Sequence, residues 1–243
     1  MFSLFKKEIN SFLSSIVGYV VMLIFLTLLG LFLWVFPGNF NVFDSGYAQL
    51  EAMFTLAPWV FMFLIPAVTM RFFAEEKRSG TIELLLTKPL SEMQLILAKF
   101  MAGQFLVLLA LIPTIIYYFS VYRLGNPVGN IDSGGFWGSF IGLIFLSSGF
   151  TAIGLFASSI SENQIVSFIV AVFLSFLLYT GFDALAGLKI FESVDSFIIA
   201  LGINSHYISL SRGVIDSRDV IYFVSFTFFF MMLTRLVLES RKW

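Results

Sequence analysis

The chain has 243 residues, of which 59% are hydrophobic, 18% aromatic and 12% charged, and its formal net charge is −1. Soluble domains hold about 45–50% apolar and about 25% charged residues, so this composition excludes a soluble domain, a disordered chain and a coiled coil. With no cysteine and one histidine, His206, it offers no disulfide scaffold, thiol nucleophile or intrachain imidazole–thiolate metal site, and it has no basic patch for nucleic acid.

The mean hydropathy of +0.96 comes from six apolar runs with charge confined to their ends. Each is long enough to cross a hydrocarbon core of about 30 Å at about 1.5 Å per residue. The fold expected is an all-α polytopic membrane protein with six transmembrane helices in one domain over residues 1–243.

Residues 2–14 place Phe5, Ile9, Phe12 and Leu13, continuing to Ile16, on one helical stripe, with Lys6, Lys7 and Asn10 off it. This predicts an N-terminal helix lying in the membrane interface; a plain extension of the first span is the alternative. Span one is Ile16–Phe36, too long for a signal-peptide core and followed by Pro37-Gly38-Asn39, so it is expected to stay. Span two is Ala52–Phe72, with Pro58 and Pro66 inside. Span three is Phe100–Tyr122, with Pro113 near its middle. Spans four and five, Phe136–Ser159 and Gln164–Phe182, are joined by a tight turn. Residues 183–218 form a long loop before span six, Asp219–Glu239. Val194, Phe197, Ile198, Leu201, Tyr207, Ile208 and Leu210 in that loop predict short helices dipping into the outer leaflet.

Six spans put both termini on one side. That side carries ten basic residues: Lys6, Lys7, Arg71, Lys77, Arg78, Lys88, Lys99, Arg235, Arg241 and Lys242. The other side carries four: Arg123, Lys189, Arg212 and Arg218. The excess predicts cytoplasmic termini. Span interiors are nearly free of ionisable groups, with Arg71 and Arg235 near cytoplasmic ends where they can snorkel. Ion-coupled transporters and intramembrane enzymes need such groups, so no catalytic residue is assigned. His206 is read as a surface or interfacial side chain. No lysine is followed by Ser or Thr, so no P-loop exists in the chain.

The charged segment between spans two and three carries the clearest signals. Gly80 permits a turn after span two. Thr81 could cap a helix over Ile82–Thr87, with Glu83 in its first turn. Pro89 limits that helix to about two turns. Ser91 with Gln94 forms a capping-box pair that starts the next helix. The product is a short helix parallel to the membrane, either a peg for a soluble partner or an amphipathic loop on lipid headgroups. Gly134, Gly138 and Gly142, and Ser167, Ala171 and Ser175, form two small-residue stripes suited to close helix packing within the chain or at a dimer contact.

The pattern Glu75, Glu76, Gly80, Thr81, Glu83, Leu85, Leu86 and Pro89 resembles the loop between spans two and three in permeases of type-2 ABC exporters. The six-span layout, interfacial N-terminal helix and long outer loop resemble that family along the whole chain. Within it, residues 75–100 and Ser205–Phe223 look most like permeases associated with gliding motility in Bacteroidota. Permeases of nitrous-oxide-reductase maturation are similar in the first stretch. The resemblance implies that the eight loop residues couple to a separate cytoplasmic ABC ATPase. It also implies that ATP and Mg are bound by that partner and not by this chain, and that a second permease subunit, identical or different, completes the path. It further implies residence in the bacterial inner membrane among lipid. A membrane scaffold docking a motility or secretion machine through the same loop is the rival.

Overall fold

The computed structural model describes residues 1–86, 91–188 and 195–240, without the side chains of residues 84–86. Among the described residues there is no strand, and six continuous or broken helices are long and apolar enough to cross a membrane. The chain is an all-α polytopic membrane protein, as its composition requires. The second, third and fourth spans are more than half buried and form the centre. The first, fifth and sixth are mostly exposed around them.

Helix α1 (Phe2–Leu13) precedes the first span, α2 (Ile16–Trp34). Ser15 caps α2 by accepting from the Gly18 N–H at 3.2 Å. The elbow is tight: a Cβ at Gly18 would lie 2.5 Å from the Phe12 carbonyl oxygen. The amphipathic N-terminal helix is present, but its buried face is Leu4, Glu8 and Phe12. Phe5, Ile9 and Leu13 are partly covered, and Ile16 is largely exposed. The shift follows from α1 packing on the third span instead of resting only on lipid.

The second span is α3 (Glu51–Thr69) continued by α4 (Arg71–Arg78) after a break at Met70. The fourth span, α8 (Ser133–Ile160), mends that break. The Ser158 hydroxyl accepts from the N–H groups of Phe73 (2.9 Å) and Ala74 (3.1 Å) and donates to the Met70 carbonyl (3.1 Å). Without it the first amides of α4 would be buried without partners. A short helix, α5 (Thr81–Leu86), follows.

The third span is α6 (Glu92–Leu111), a 3₁₀ turn at Ile112–Thr114 and α7 (Ile115–Leu124). Pro113 sits in the 3₁₀ turn, where its missing N–H interrupts the α pattern. Gln104 in α6 donates to the Ile144 carbonyl (3.2 Å) and the Ser147 hydroxyl (2.7 Å) of α8, a polar tie between two central spans. The fifth span is α9 (Gln164–Phe176), a π-helical stretch Leu177–Gly181 and α10 (Phe182–Ala186).

The outer segment forms α11 (Asp195–Leu201) and α12 (Ile203–Leu210) before the last span, α13 (Ser217–Glu239). The expected outer helices are thus present. Ile203, Tyr207 and Leu210 are buried, and the Tyr207 hydroxyl donates to the Phe54 carbonyl at 2.6 Å. Phe197 stays exposed, and Val194 lies outside the described residues.

Gly138 and Gly142 of the first small-residue stripe, and the whole of the second, are covered within the chain, while Gly134 is exposed. A Cβ at Gly138 would lie 2.4 Å from the Gly213 carbonyl oxygen, and one at Gly142 would lie 2.9 Å from Leu210 Cβ. These glycines let the end of the outer segment lie on α8. At Gly134 the nearest such contact is Asp132 Oδ1, at 3.4 Å. Ser167, Ala171 and Ser175 are fully covered on α9, which packs against α8 and α3.

His206 is half-buried between helices, within its surface or interfacial reading. Its Nδ1 lies 2.7 Å from Asp219 Oδ1, its Nε2 lies 2.9 Å from the Ala200 carbonyl, and its ring stacks on Tyr222 at 3.8 Å. The ring therefore ties α12 to α13 and to the end of α11.

Candidate coupling site

The end of the molecule that carries α1 and the end of α13 also carries α4, α5 and the start of α6. Gly80 has φ +69°, the left-handed turn that lets the chain leave α4 and enter α5. Thr81 is the first helical residue of α5 and not its cap; its hydroxyl turns back to the Glu76 carbonyl (3.4 Å) and the Ser79 hydroxyl (2.8 Å). Thr81 and Glu83 are exposed, while Ile82 is buried against the core. Leu85 and Leu86 lie on α5 with side chains outside the description, and Pro89 lies outside the described residues. The capping box forms as expected: Ser91 Oγ accepts from the Gln94 N–H at 3.3 Å, and the Ser91 N–H donates to Gln94 Oε1 at 3.1 Å. Helix α6 therefore starts at a defined point.

A buried charge cluster joins α1, α4 and α6. Lys99 of α6 has no solvent exposure. Its ammonium lies 2.8 Å from Glu8 Oε1 of α1 and 2.9 Å from Glu76 Oε2 of α4, and it donates to the Phe72 carbonyl at 2.6 Å. The Phe73 ring centroid lies 5.1 Å away, within cation–π range. Lys7 closes the cluster from outside, donating to Glu76 Oε1 at 2.7 Å and lying 3.4 Å from Glu8 Oε1. Burial alone would lower the Lys7 pKa. The hydrogen bond to Glu76 and the charges of Glu8 and Glu76 outweigh it and hold the ammonium above the ordinary lysine value. Two cations paired with two carboxylates balance the buried charge.

The two glutamates that open the loop pattern thus have different surroundings. Glu75 is exposed and pairs with Arg71 at 3.3 Å. Glu76 faces inward to Lys99 and Lys7 and acts on α5 by holding α4 in place. The next residue, Lys77, is buried and donates to the Ser159 carbonyl at the end of α8. The loop is therefore anchored to α1, α6 and α8, with α5 presented outward.

Within the membrane-spanning region, α2, α3 and α9 enclose an open groove of about 560 Å³. Phe25, Leu29, Phe32, Trp59, Phe63 and Phe168 are among its walls, and no ionisable residue lines it. At the opposite end, a cleft of about 520 Å³ between α3, α8 and α12 is bordered by Glu51, Asp132 and Arg212. Among the described residues no group of His, Cys, Asp and Glu is arranged to hold a metal ion.

Residues 37–242 match the sequence family described as ABC-2 family transporter protein. The chain belongs to this family. Such a permease is the transmembrane component of an ABC transporter and not its ATPase. The match takes in α3 to α13, including Glu76 and Lys99. It begins after α1 and α2, so Lys7 and Glu8 lie before it. No curated protein matches the chain.

Two residues that sequence reasoning missed are Glu8 and Lys99. Glu8 falls between Phe5, Ile9 and Phe12 on the apolar side of α1, and a carboxylate on that side was the available signal. Lys99, between Ala98 and Phe100, was counted among cytoplasmic span ends because lysines there usually reach water.

Proposed function

We propose that the permease docks on a separate cytoplasmic ABC ATPase through the 75–89 loop, with ATP and Mg bound by that partner. Glu83 and Thr81 are the exposed contacts on α5, and Glu75 borders them. Gly80 sets the turn, Glu76 holds α4, and Leu85, Leu86 and Pro89 complete the loop. The family match carries this reading. The presentation of α5 on an anchored loop, at the end shared by both termini, supports it.

Two such six-span subunits, identical or different, form the path in a bacterial inner membrane, with both termini cytoplasmic. The groove between α2, α3 and α9 is the candidate wall of that path. The likeness of residues 75–100 and Ser205–Phe223 to gliding-motility permeases supports motility as the process served.

Purification of the tagged chain from its native membrane in mild detergent tests this. An ABC ATPase in near-stoichiometric amount is expected, and Glu83→Arg should lower its recovery while the permease stays folded. Absence of an ATPase under several mild extractions, or full recovery with Glu83→Arg, would overturn the docking assignment.

A further inference from the structure

We propose that Lys99 is a positioning residue that joins α1 to both arms of the coupling loop as one body, so that displacement of the loop reaches α2 through α1. This rests on the docking reading above.

The geometry carries the inference. Lys99 donates to Glu8 on α1 at 2.8 Å and to the Phe72 carbonyl on α4 at 2.6 Å, and its ammonium forms an ion pair with the Glu76 carboxylate on α4 at 2.9 Å. Lys99 itself is on α6. One cation therefore bridges the helix before the loop, the helix after it and the N-terminal helix. Apolar packing lets helices slide at little cost. A buried, hydrogen-bonded ion pair does not, because any slip strands a charge away from water.

The connection onward is short and tight. Two residues separate α1 from α2, and the Gly18–Phe12 contact leaves no slack at the elbow. Beyond the elbow, α2 is mostly exposed. Its groove-facing side, Phe25, Leu29 and Phe32, is apolar, and the Tyr117 hydroxyl reaches the Leu26 carbonyl at 3.3 Å. Such a helix can shift against α3 and α9 without breaking a polar network. A stiff joint at α1 and a slippery face on α2 together make α2 the moving wall of the groove.

The test uses the complex of the permease with its co-purifying ATPase in lipid nanodiscs. Spin labels are placed at Asn10 and Arg78, both within the proposed body, and in a second sample at Asn10 and Ile165, the latter exposed at the start of α9. Distances are measured without nucleotide and after trapping with ATP and vanadate. The Asn10–Arg78 distance should be the same in both states and the Asn10–Ile165 distance should change.

The variant Glu8→Gln/Lys99→Met removes one charge of each sign at similar side-chain volume and leaves the Lys7–Glu76 pair in place, so it should fold and still bind the ATPase. In it, the Asn10–Arg78 distance should become state-dependent and the Asn10–Ile165 change should be lost. A state-dependent Asn10–Arg78 distance in the native chain, a static Asn10–Ile165 distance, or native behaviour in the variant would each overturn the proposal. If no ATPase accompanies the native chain, the docking reading fails together with this one. If the ATPase is present and the labels disagree, only the role of Lys99 fails.

Discussion

Glu8 and Lys99 are far apart in sequence and 2.8 Å apart in space, one on the N-terminal helix and one at the head of the third span. Removing one member of a buried, paired set leaves uncompensated charge, which costs about 3–5 kcal/mol. Lys99→Met should therefore lower the thermal stability of the detergent-solubilised permease sharply. The charge-balanced double variant Glu8→Gln/Lys99→Met, which leaves the Lys7–Glu76 pair, should recover most of that loss, because replacing a buried ion pair with uncharged groups of similar volume is often near neutral. Equal instability of both would show that packing volume, and not charge balance, sets the cost.

The bond from Ser158 into the break after Met70 gives a second test. Ser158→Ala removes the buried hydroxyl that accepts from the Phe73 and Ala74 amides and donates to the Met70 carbonyl, which costs about 1–3 kcal/mol. The loss should appear as a lower unfolding temperature. It should also appear as faster amide exchange at the start of α4, with exchange in α13 unchanged.

Close approach at Gly138 gives a third. Gly138→Ala drives a methyl into the Gly213 backbone, and overpacking of this kind costs about 1–3 kcal/mol. Gly134→Ala, with a 3.4 Å neighbour, should stay within about 0.5 kcal/mol of the parent. Because Gly138 is occupied within the chain, its substitution should leave oligomeric state unchanged in size-exclusion light scattering. A shift in oligomer would place this glycine at a subunit seam.

Lys7 gives a pH test whose sign follows from its raised pKa. A lysine bound more tightly as a cation in the folded state stabilises fully below its unfolded value of about 10.4. That stabilisation disappears as pH rises through the higher folded value. Lys7→Met should be less stable than the parent at neutral pH, and the gap should close as pH passes about 10.4. A constant gap would assign the loss to packing of the lysine stem.

The six spans were legible because apolar length is a strong signal and the bilayer leaves the backbone few choices. The capping box at Ser91 and Gln94 and the turn at Gly80 were legible because both are local rules. The division of labour between Glu75 and Glu76 was not. Neighbouring residues on a helix point about 100° apart, and which one faces inward depends on where α1 and α6 pack. Lys99 was hidden for the same reason: its partners come from near the N-terminus and from α4, and spacing within α6 carries no trace of either. His206 was legible as surface or interfacial, but its partner Asp219 was not, because that residue sits on another helix. The small-residue stripes were visible as packing surfaces, but only the placement of α12 showed that Gly138 and Gly142 face their own chain.

The four charges around Lys99 sum to zero: Lys7 and Lys99 against Glu8 and Glu76. Moving one elementary charge through a potential of 100 mV involves about 2.3 kcal/mol of electrical work, and moving a neutral set involves almost none. A lone lysine at this depth would make any displacement of α1 and α6 depend on membrane voltage. Packed as a balanced quartet, the same lysine lets this end of the permease shift at the membrane boundary with its energetics set by contacts and not by the field, in energised and de-energised membranes alike.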